Sequence, residues 1–264
     1  SGDGSSRGIS RGSMAACARQ LRSTRGARPR RAPLRRPRAR AAQAGAIRAD
    51  LKARGAAAAG ELEGCSVFVV GMMGCGKSTV TRLVADSLGY AFLDTDTLVE
   101  SMAGKTVAEV FADDGEEAFR ALEKGVVNEV SAYLRVAVAT GGGAVLDTMN
   151  WASMRNGVVV YLRAPLPLLA ARVEADGAGG RPLVAGAEEG GAVEEALGAI
   201  LEERGRMYDQ ADVTVDVAGE GGAAGAEKSP EEVAEEVLAA LTRRVVESGQ
   251  KEKLRNAPKP EEVE

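Results

Sequence analysis

The chain contains no histidine. That absence removes Ser-His-Asp and Cys-His nucleophile systems, and with them the usual zinc ligand set. Cysteine is scarce as well: Cys17, Cys65 and Cys75 are all there are, at spacings that suit neither a metal nor a paired framework. An odd, low count argues for a reducing compartment. Aromatic residues make up only 3% of the 264 residues, against 45% hydrophobic overall, so a core must be built mainly of Val, Leu and Ala. No apolar run approaches the ~18 residues of a membrane span, so no membrane association is expected.

Acidic residues are missing over a long stretch, from Asp3 to Asp50. Residues 1–60 carry fourteen Arg and one Lys against those two carboxylates, a net of +13; the remainder holds 19 basic and 36 acidic residues, a net of −17. The first sixty residues are rich in Arg, Ala, Ser, Gly and Pro, and the run from Arg28 to Pro37 suits neither helix nor core. Arg-rich, acid-poor composition of this kind is the mark of an organelle transit peptide, and Met14-Ala15-Ala16-Cys17 reads like a natural start. A basic arm for nucleic acid is the competing reading, but it lacks aromatic residues to stack on bases, and an acidic body repels a polyanion. No nucleic-acid partner is expected. The expected organisation is a disordered transit peptide over 1–60, a globular domain over 61–246, and a charged disordered tail over 247–264.

What is present centres on Gly71-Met72-Met73-Gly74-Cys75-Gly76-Lys77-Ser78. It matches G-x-x-x-x-G-K-S at every defined position, after the apolar run Val67–Val70 and before a helical pattern opened by Thr79. In a P-loop, glycines turn successive N–H groups toward phosphate oxygens, and the helix start adds favourable charge. Lys77 would reach the β- and γ-phosphates, and the Ser78 hydroxyl would ligate Mg²⁺. Cys75, inside the loop, reads as a tolerated small residue or as a thiol near a helix N-terminus.

Strands are expected at Val67–Val70, Tyr90–Leu93, Val136–Ala139, Val158–Leu162 and Val213–Val215, with helices between them. That alternation of short apolar runs and helices predicts a parallel sheet covered on both faces. Ligands of such sheets bind beyond the carboxyl ends of the strands. Asp94-Thr95-Asp96 follows the second strand, and its carboxylates serve either Mg²⁺ and an attacking hydroxyl or a helix N-cap. Gly141-Gly142-Gly143 follows the third and lets backbone approach a ligand closely. Arg120 and Glu123, three apart on a helix expected over Glu116–Leu134, read as a pair that is either functional or solvated. Arg181 lies in a glycine-rich segment over 175–191 that has the composition of a mobile flap. Arg204 and Arg206 sit on a late helix.

Taken in order, the P-loop, Phe92-Leu-Asp94-Thr-Asp96, Gly115-Glu-Glu-Ala-Phe-Arg120-Ala-Leu-Glu123, Thr140-Gly-Gly-Gly143, Arg181-Pro-Leu and Arg204 four before Tyr208 resemble shikimate kinase of a plastid-targeted plant or algal type. The resemblance covers about 65–245. It implies the α/β fold of nucleoside monophosphate kinases, a five-stranded parallel sheet with a lid and a substrate-binding subdomain. It implies that the γ-phosphate of ATP moves to the 3-hydroxyl of shikimate, in the plastid stroma, by a monomer or a dimer. Nucleotide contacts are implied for Gly71, Gly74, Cys75, Gly76, Lys77, Ser78, Thr79, Arg172 at the adenine, and Arg181. Mg²⁺ falls to Ser78 and Asp94. Shikimate falls to Asp96, also the candidate base, and to Arg120, Gly142 and Arg204, with Lys77 and Arg181 assisting transfer. The chain departs from the pattern in a stretched lid and in extra Gly and Ala between Asp216 and Ser229. The rivals are another small-molecule P-loop kinase, such as a gluconate kinase, and a non-catalytic relative that binds ligands or partners.

Overall fold

A computed structural model describes residues 38–176, 192–219 and 227–248. The expected lid with Arg181, the first 37 residues, most of the inserted stretch after Asp216 and the charged tail lie outside the described residues.

Five strands form one sheet: β1 (Val67–Val70), β2 (Ala91–Asp94), β3 (Val136–Ala139), β4 (Val158–Arg163) and β5 (Val213–Asp216). They lie in the order β2-β3-β1-β4-β5, every pair parallel. Phe68 opposes Val138 on one side and Val159 on the other, so β1 is central. β1 and β3 are buried at every position, as helices on both faces demand. From β1 the chain passes outward to β2, whereas from β3 it crosses back to β4. The connections of these two neighbours thus diverge, and a crevice opens at their carboxyl ends.

The helices between the strands follow the apolar phase. Helix α2 (Lys77–Leu88) buries Val80, Thr81, Val84, Ala85 and Leu88, and Gly89 stops it in the left-handed region at φ 71°. Helix α3 (Thr95–Ala103), α4 (Val107–Asp113) and α5 (Gly115–Val130) follow β2. Thr106 and Glu109 close a capping box at the start of α4. Helix α5 ends at Val130 rather than at Leu134. The amides of Ala132 and Tyr133 turn to the carbonyls three residues back, and Arg135 adopts φ 57° to enter β3. Beyond β3 come a 3-10 turn (Ala144–Leu146), α6 (Thr148–Met154), α7 (Leu166–Asp176) after β4, α8 (Ala192–Tyr208) before β5, and α9 (Pro230–Ser248). Among the described residues no helix is long and apolar enough to cross a membrane.

The folded body does not begin at residue 61. Helix α1 (Arg38–Leu62) starts directly after Pro37 and buries Leu51, Gly55, Ala58 and Leu62. Those positions recur at four, three and four residues, one stripe of a helix. The stripe lies on α2 and α9. At Gly55 a methyl group would overlap the carbonyl of Ser87, so α1 approaches α2 closely where it has no side chain. Arg54 adds an exposed bridge to Glu235 of α9 at 3.1 Å. The proline-rich run ends before this helix, and the alanine-rich segment after it favours helix on propensity alone.

Candidate active site

Three strand ends supply the site. After β1, the loop from Gly71 to Gly76 turns back on itself, and Gly76 holds φ 93° as α2 begins. Only glycine adopts that conformation without strain. A methyl at Gly71 would stand 2.7 Å from the carbonyl of Leu162 in β4. Lys77 Nζ donates to the carbonyls of Gly71 and Met72 at 2.8 and 3.0 Å, which folds the lysine over the loop. Cys75 is 1% exposed, so its side chain packs into the core while its backbone forms part of the loop.

Asp94, at the end of β2, caps a helix with one oxygen and meets the phosphate loop with the other. Its Oδ1 accepts the amides of Asp96 and Thr97 at 3.1 and 3.4 Å, capping α3. Its Oδ2 accepts the Ser78 hydroxyl at 2.7 Å. A carboxylate and a hydroxyl side by side, next to the loop, fit Mg²⁺, which takes oxygen ligands and completes its shell from phosphates and water. Among the described residues no group of three or more His, Cys, Asp or Glu side chains assembles to hold a metal.

Asp96 sits deeper. Burial pushes its carboxyl up to about 7; the charges of Asp94 and Glu123 push the same way, and Lys77 pulls against them. Poised at that value, a carboxylate can take a proton near neutral pH.

Helix α5 brings the basic groups. Glu123 is 1% exposed, in phase with Phe119, Val126, Val127 and Val130, while Leu122 at the rim is only partly buried. Arg120 Nη1 donates to Glu123 Oε2 at 2.8 Å and Nη2 to Glu116 Oε1 at 2.9 Å. Its guanidinium also lies 5.3 Å from the Phe119 ring centroid. The solvated-pair reading is therefore wrong for this pair, because one partner is in the core. Burial pushes the Glu123 carboxyl up, against the opposing pull of Arg120 and Arg204. Glu123 Oε1 and Arg204 Nε find no hydrogen-bond partner among the described residues.

The turn after β3 threads between these groups. Thr140 Oγ1 donates to the Val69 carbonyl at 3.1 Å, and the Gly141 amide donates to Thr95 Oγ1 at 2.8 Å. A methyl at Gly141 would stand 2.5 Å from Glu123 Oε1 and 2.7 Å from Asp96 Oδ1. One at Gly143 would fall on the Arg120 guanidinium. Close side chains thus require glycine at 141 and 143, whereas a methyl at Gly142 would meet only backbone atoms at 3.7 Å. Arg204, only 4% exposed, brings Nη1 to 3.4 Å from the Gly142 carbonyl, whereas Arg206 is exposed.

A cleft of about 570 Å³ runs from Asp96 and Gly142 past Lys77, Ser78 and Thr79 to Arg172 and Glu227. Arg172 Nη1 donates to the Gly74 carbonyl at 2.8 Å and Nη2 to Glu227 Oε1 at 2.7 Å. The far end of the cleft is thereby closed by α7 and by the segment leading into α9. Of the expected site residues, Gly71, Arg120 and Arg204 do not line this cleft, Arg181 lies outside the described residues, and the others line it. Sequence reasoning missed Thr95, Glu116 and Glu227. Glu116 was detectable, four residues before Arg120 on one helix face; Glu227 was not, because its partner lies 55 residues away.

Comparison with known proteins identifies the family. Residues 73–242 match the family model described as shikimate kinase. The chain is 49% identical over 186 residues to a shikimate kinase of Gloeobacter violaceus, which covers 70% of this chain and 97% of that protein. Among solved structures, the shikimate kinase of Acinetobacter baumannii in complex with shikimate superposes with a TM-score of 0.58 at 29% identity, over 74% of this chain and 96% of that one. The shikimate kinase of Bacteroides thetaiotaomicron gives 0.59 at 30% identity, over 68% and 98%.

Proposed function

The chain belongs to the shikimate kinase family and is an ATP-dependent kinase that phosphorylates shikimate, and from that premise we propose how its residues divide the work. The observation that carries the assignment is the position of Asp96 on the cleft wall, between the charge of Lys77 and the buried Glu123–Arg120 pair.

ATP lies along the cleft with its phosphates on the amides of Gly74 to Thr79 and its base toward Arg172. Lys77 leaves the loop carbonyls for the β- and γ-phosphates. Ser78 and Asp94 would hold Mg²⁺, whose charge would offset that of the phosphate oxygens. Arg120 and Arg204 take the shikimate carboxylate, for which the planar guanidinium fork is suited. The ring hydroxyls then face Asp96. Asp96 accepts the proton of the 3-hydroxyl as that oxygen bonds to the γ-phosphorus. The bond from phosphorus to the bridging oxygen breaks, ADP leaves with the electron pair, and shikimate 3-phosphate remains. To Arg181 we assign a further positive charge for the transferring group. One chain supplies both half-sites.

The basic, acid-poor leader supports an organelle address, and the resemblance to the plant and algal type favours the plastid over the mitochondrion. Because α1 packs on the body from Leu51 onward, removal of a leader that spares the fold must cut before that helix docks.

The experiment is ADP release from ATP and Mg²⁺ by the chain lacking residues 1–37, with shikimate, with gluconate, and with neither. Stimulation by shikimate alone is expected. Stimulation by gluconate, or none by shikimate, overturns the assignment.

A further inference from the structure

Tyr208 ends α8 and is completely buried, its ring stacked on Tyr161 with centroids 5.0 Å apart and planes 10° from parallel. Packing of that kind needs only a phenyl ring. The hydroxyl has a separate environment. It donates to the Gly142 carbonyl at 2.7 Å and lies 3.6 Å from Met72 Sδ. Burial raises its pKa, which keeps the proton on the oxygen and the group a donor. The Gly142 carbonyl also receives Arg204 Nη1 at 3.4 Å, and the Met72 carbonyl receives Lys77 Nζ at 3.0 Å. One phenol oxygen therefore touches the phosphate loop on one side and the triple-glycine turn on the other.

In a trans peptide the C=O and the following N–H point in opposite directions. With the Gly142 carbonyl held against Tyr208, the Gly143 N–H is turned away from it, on a residue that backs directly onto the Arg120 guanidinium. We propose that Tyr208 is a positioning residue of the acceptor half-site: its hydroxyl fixes the 142–143 peptide so that the Gly143 N–H, beside Arg120, donates to the acceptor. Tyr208 does not line the cleft and acts only through the peptide it holds. The Met72 contact keeps this turn in register with the phosphate loop. Without the hydroxyl the Gly142 carbonyl keeps only the longer Arg204 contact at 3.4 Å, and the 142–143 peptide loses its shorter anchor.

The inference rests on the assignment of shikimate as acceptor. Tyr208→Phe removes one oxygen and keeps the ring stack. Trp151, the chain's single tryptophan, donates Nε1–H to the Val145 carbonyl at 2.9 Å, just beyond the turn, and acceptor binding is measured by its fluorescence and by calorimetry. Tyr208→Phe is expected to weaken shikimate binding roughly tenfold to a hundredfold, with the KM for ATP changed less than about twofold. Unchanged shikimate binding, or equal losses for both substrates, overturns the proposal. If the variant fails to fold, the wild-type protein decides: with glycine labelled by ¹⁵N, the Gly143 amide must shift and gain exchange protection on addition of shikimate. A Gly143 signal indifferent to shikimate is fatal to the idea. Wild-type protein without shikimate-dependent ADP release would sink the functional assignment instead, which is a separate result.

Discussion

Arg120 Nη1 donates to Glu123 Oε2 at 2.8 Å across an environment gradient, from a guanidinium 23% exposed to a carboxylate 1% exposed. The pair is not a surface ornament, since its acidic member would be stranded in the core without its partner. Arg120→Ala should therefore have two effects. Stability falls on the order of 3 kcal/mol, the cost of leaving a buried charge unpaired. The KM for shikimate rises far more than the KM for ATP. Thermal unfolding and steady-state kinetics on one sample separate the two, and an unchanged shikimate requirement would remove Arg120 from the acceptor site.

Asp96→Asn should abolish turnover and leave nucleotide binding nearly intact, as measured by ATP titration. It should also make the protein more stable. The folded carboxyl titrates at about 7 against an ordinary 3.8, so the folded state keeps a proton that the unfolded chain has already released. Stability is then lost as pH rises from the unfolded value through about 7. The amide avoids that loss, by at most about 4 kcal/mol and less where cleft water screens the charge. A wild-type and variant pair with equal stability at pH 8 and at pH 4 would contradict the burial of this carboxylate.

In the wild-type enzyme the base must be ionised, so kcat/KM for shikimate should fall on the acid side with an apparent pKa near 7. A profile flat from pH 5.5 to pH 8 would assign proton acceptance to another group.

Removing residues 1–37 should leave folding and activity unaltered, whereas removing 1–60 takes away most of α1. The second truncation exposes the faces of α2 and α9 that Leu51, Ala58 and Leu62 cover, at a cost on the order of 2–5 kcal/mol. Gly55→Val tests the same contact within the intact chain, because its side chain would collide with the Ser87 carbonyl. Denaturant midpoints indistinguishable from wild type for both changes would return α1 to the status of a leader.

Glu227→Ala should raise the KM for ATP several-fold by releasing Arg172 Nη2, while shikimate binding stays constant. Here the contrast between the two substrates is the measurement, and a change in shikimate alone would show that this end of the cleft is misassigned.

Much of this arrangement was legible in the sequence because its strands are buried on both faces and read as uninterrupted apolar runs, from Val67–Val70 to Val213–Val215. The phosphate loop was legible because its chemistry requires a fixed spacing. Arg204 and Glu123 were visible as residues but their burial was not. Helical phase would have found it, since Arg204 falls on the stripe of Val193, Leu197 and Tyr208, and Glu123 on that of Phe119 and Val126. Charge outweighed phase in the reading of both. Helix α1 was hidden for a different reason: its buried stripe includes a glycine and an alanine, which carry almost no hydrophobic signal, within a segment whose arginines and missing acids resemble the leader before it.

The strands β1 and β3 pair in register, Val69 against Ala139, and each runs straight into one reactant's loop. Neighbouring strands stand about 4.8 Å apart, a distance set by backbone hydrogen bonds and not by any side chain. The spacing at which the phosphate loop and the triple-glycine turn leave the sheet is therefore set by the peptide ladder itself. Arg120 on α5 and Arg204 on α8 stand apart from those strand ends, so the grip on an acceptor's carboxylate can change while the spacing of the two loops stays as the sheet sets it.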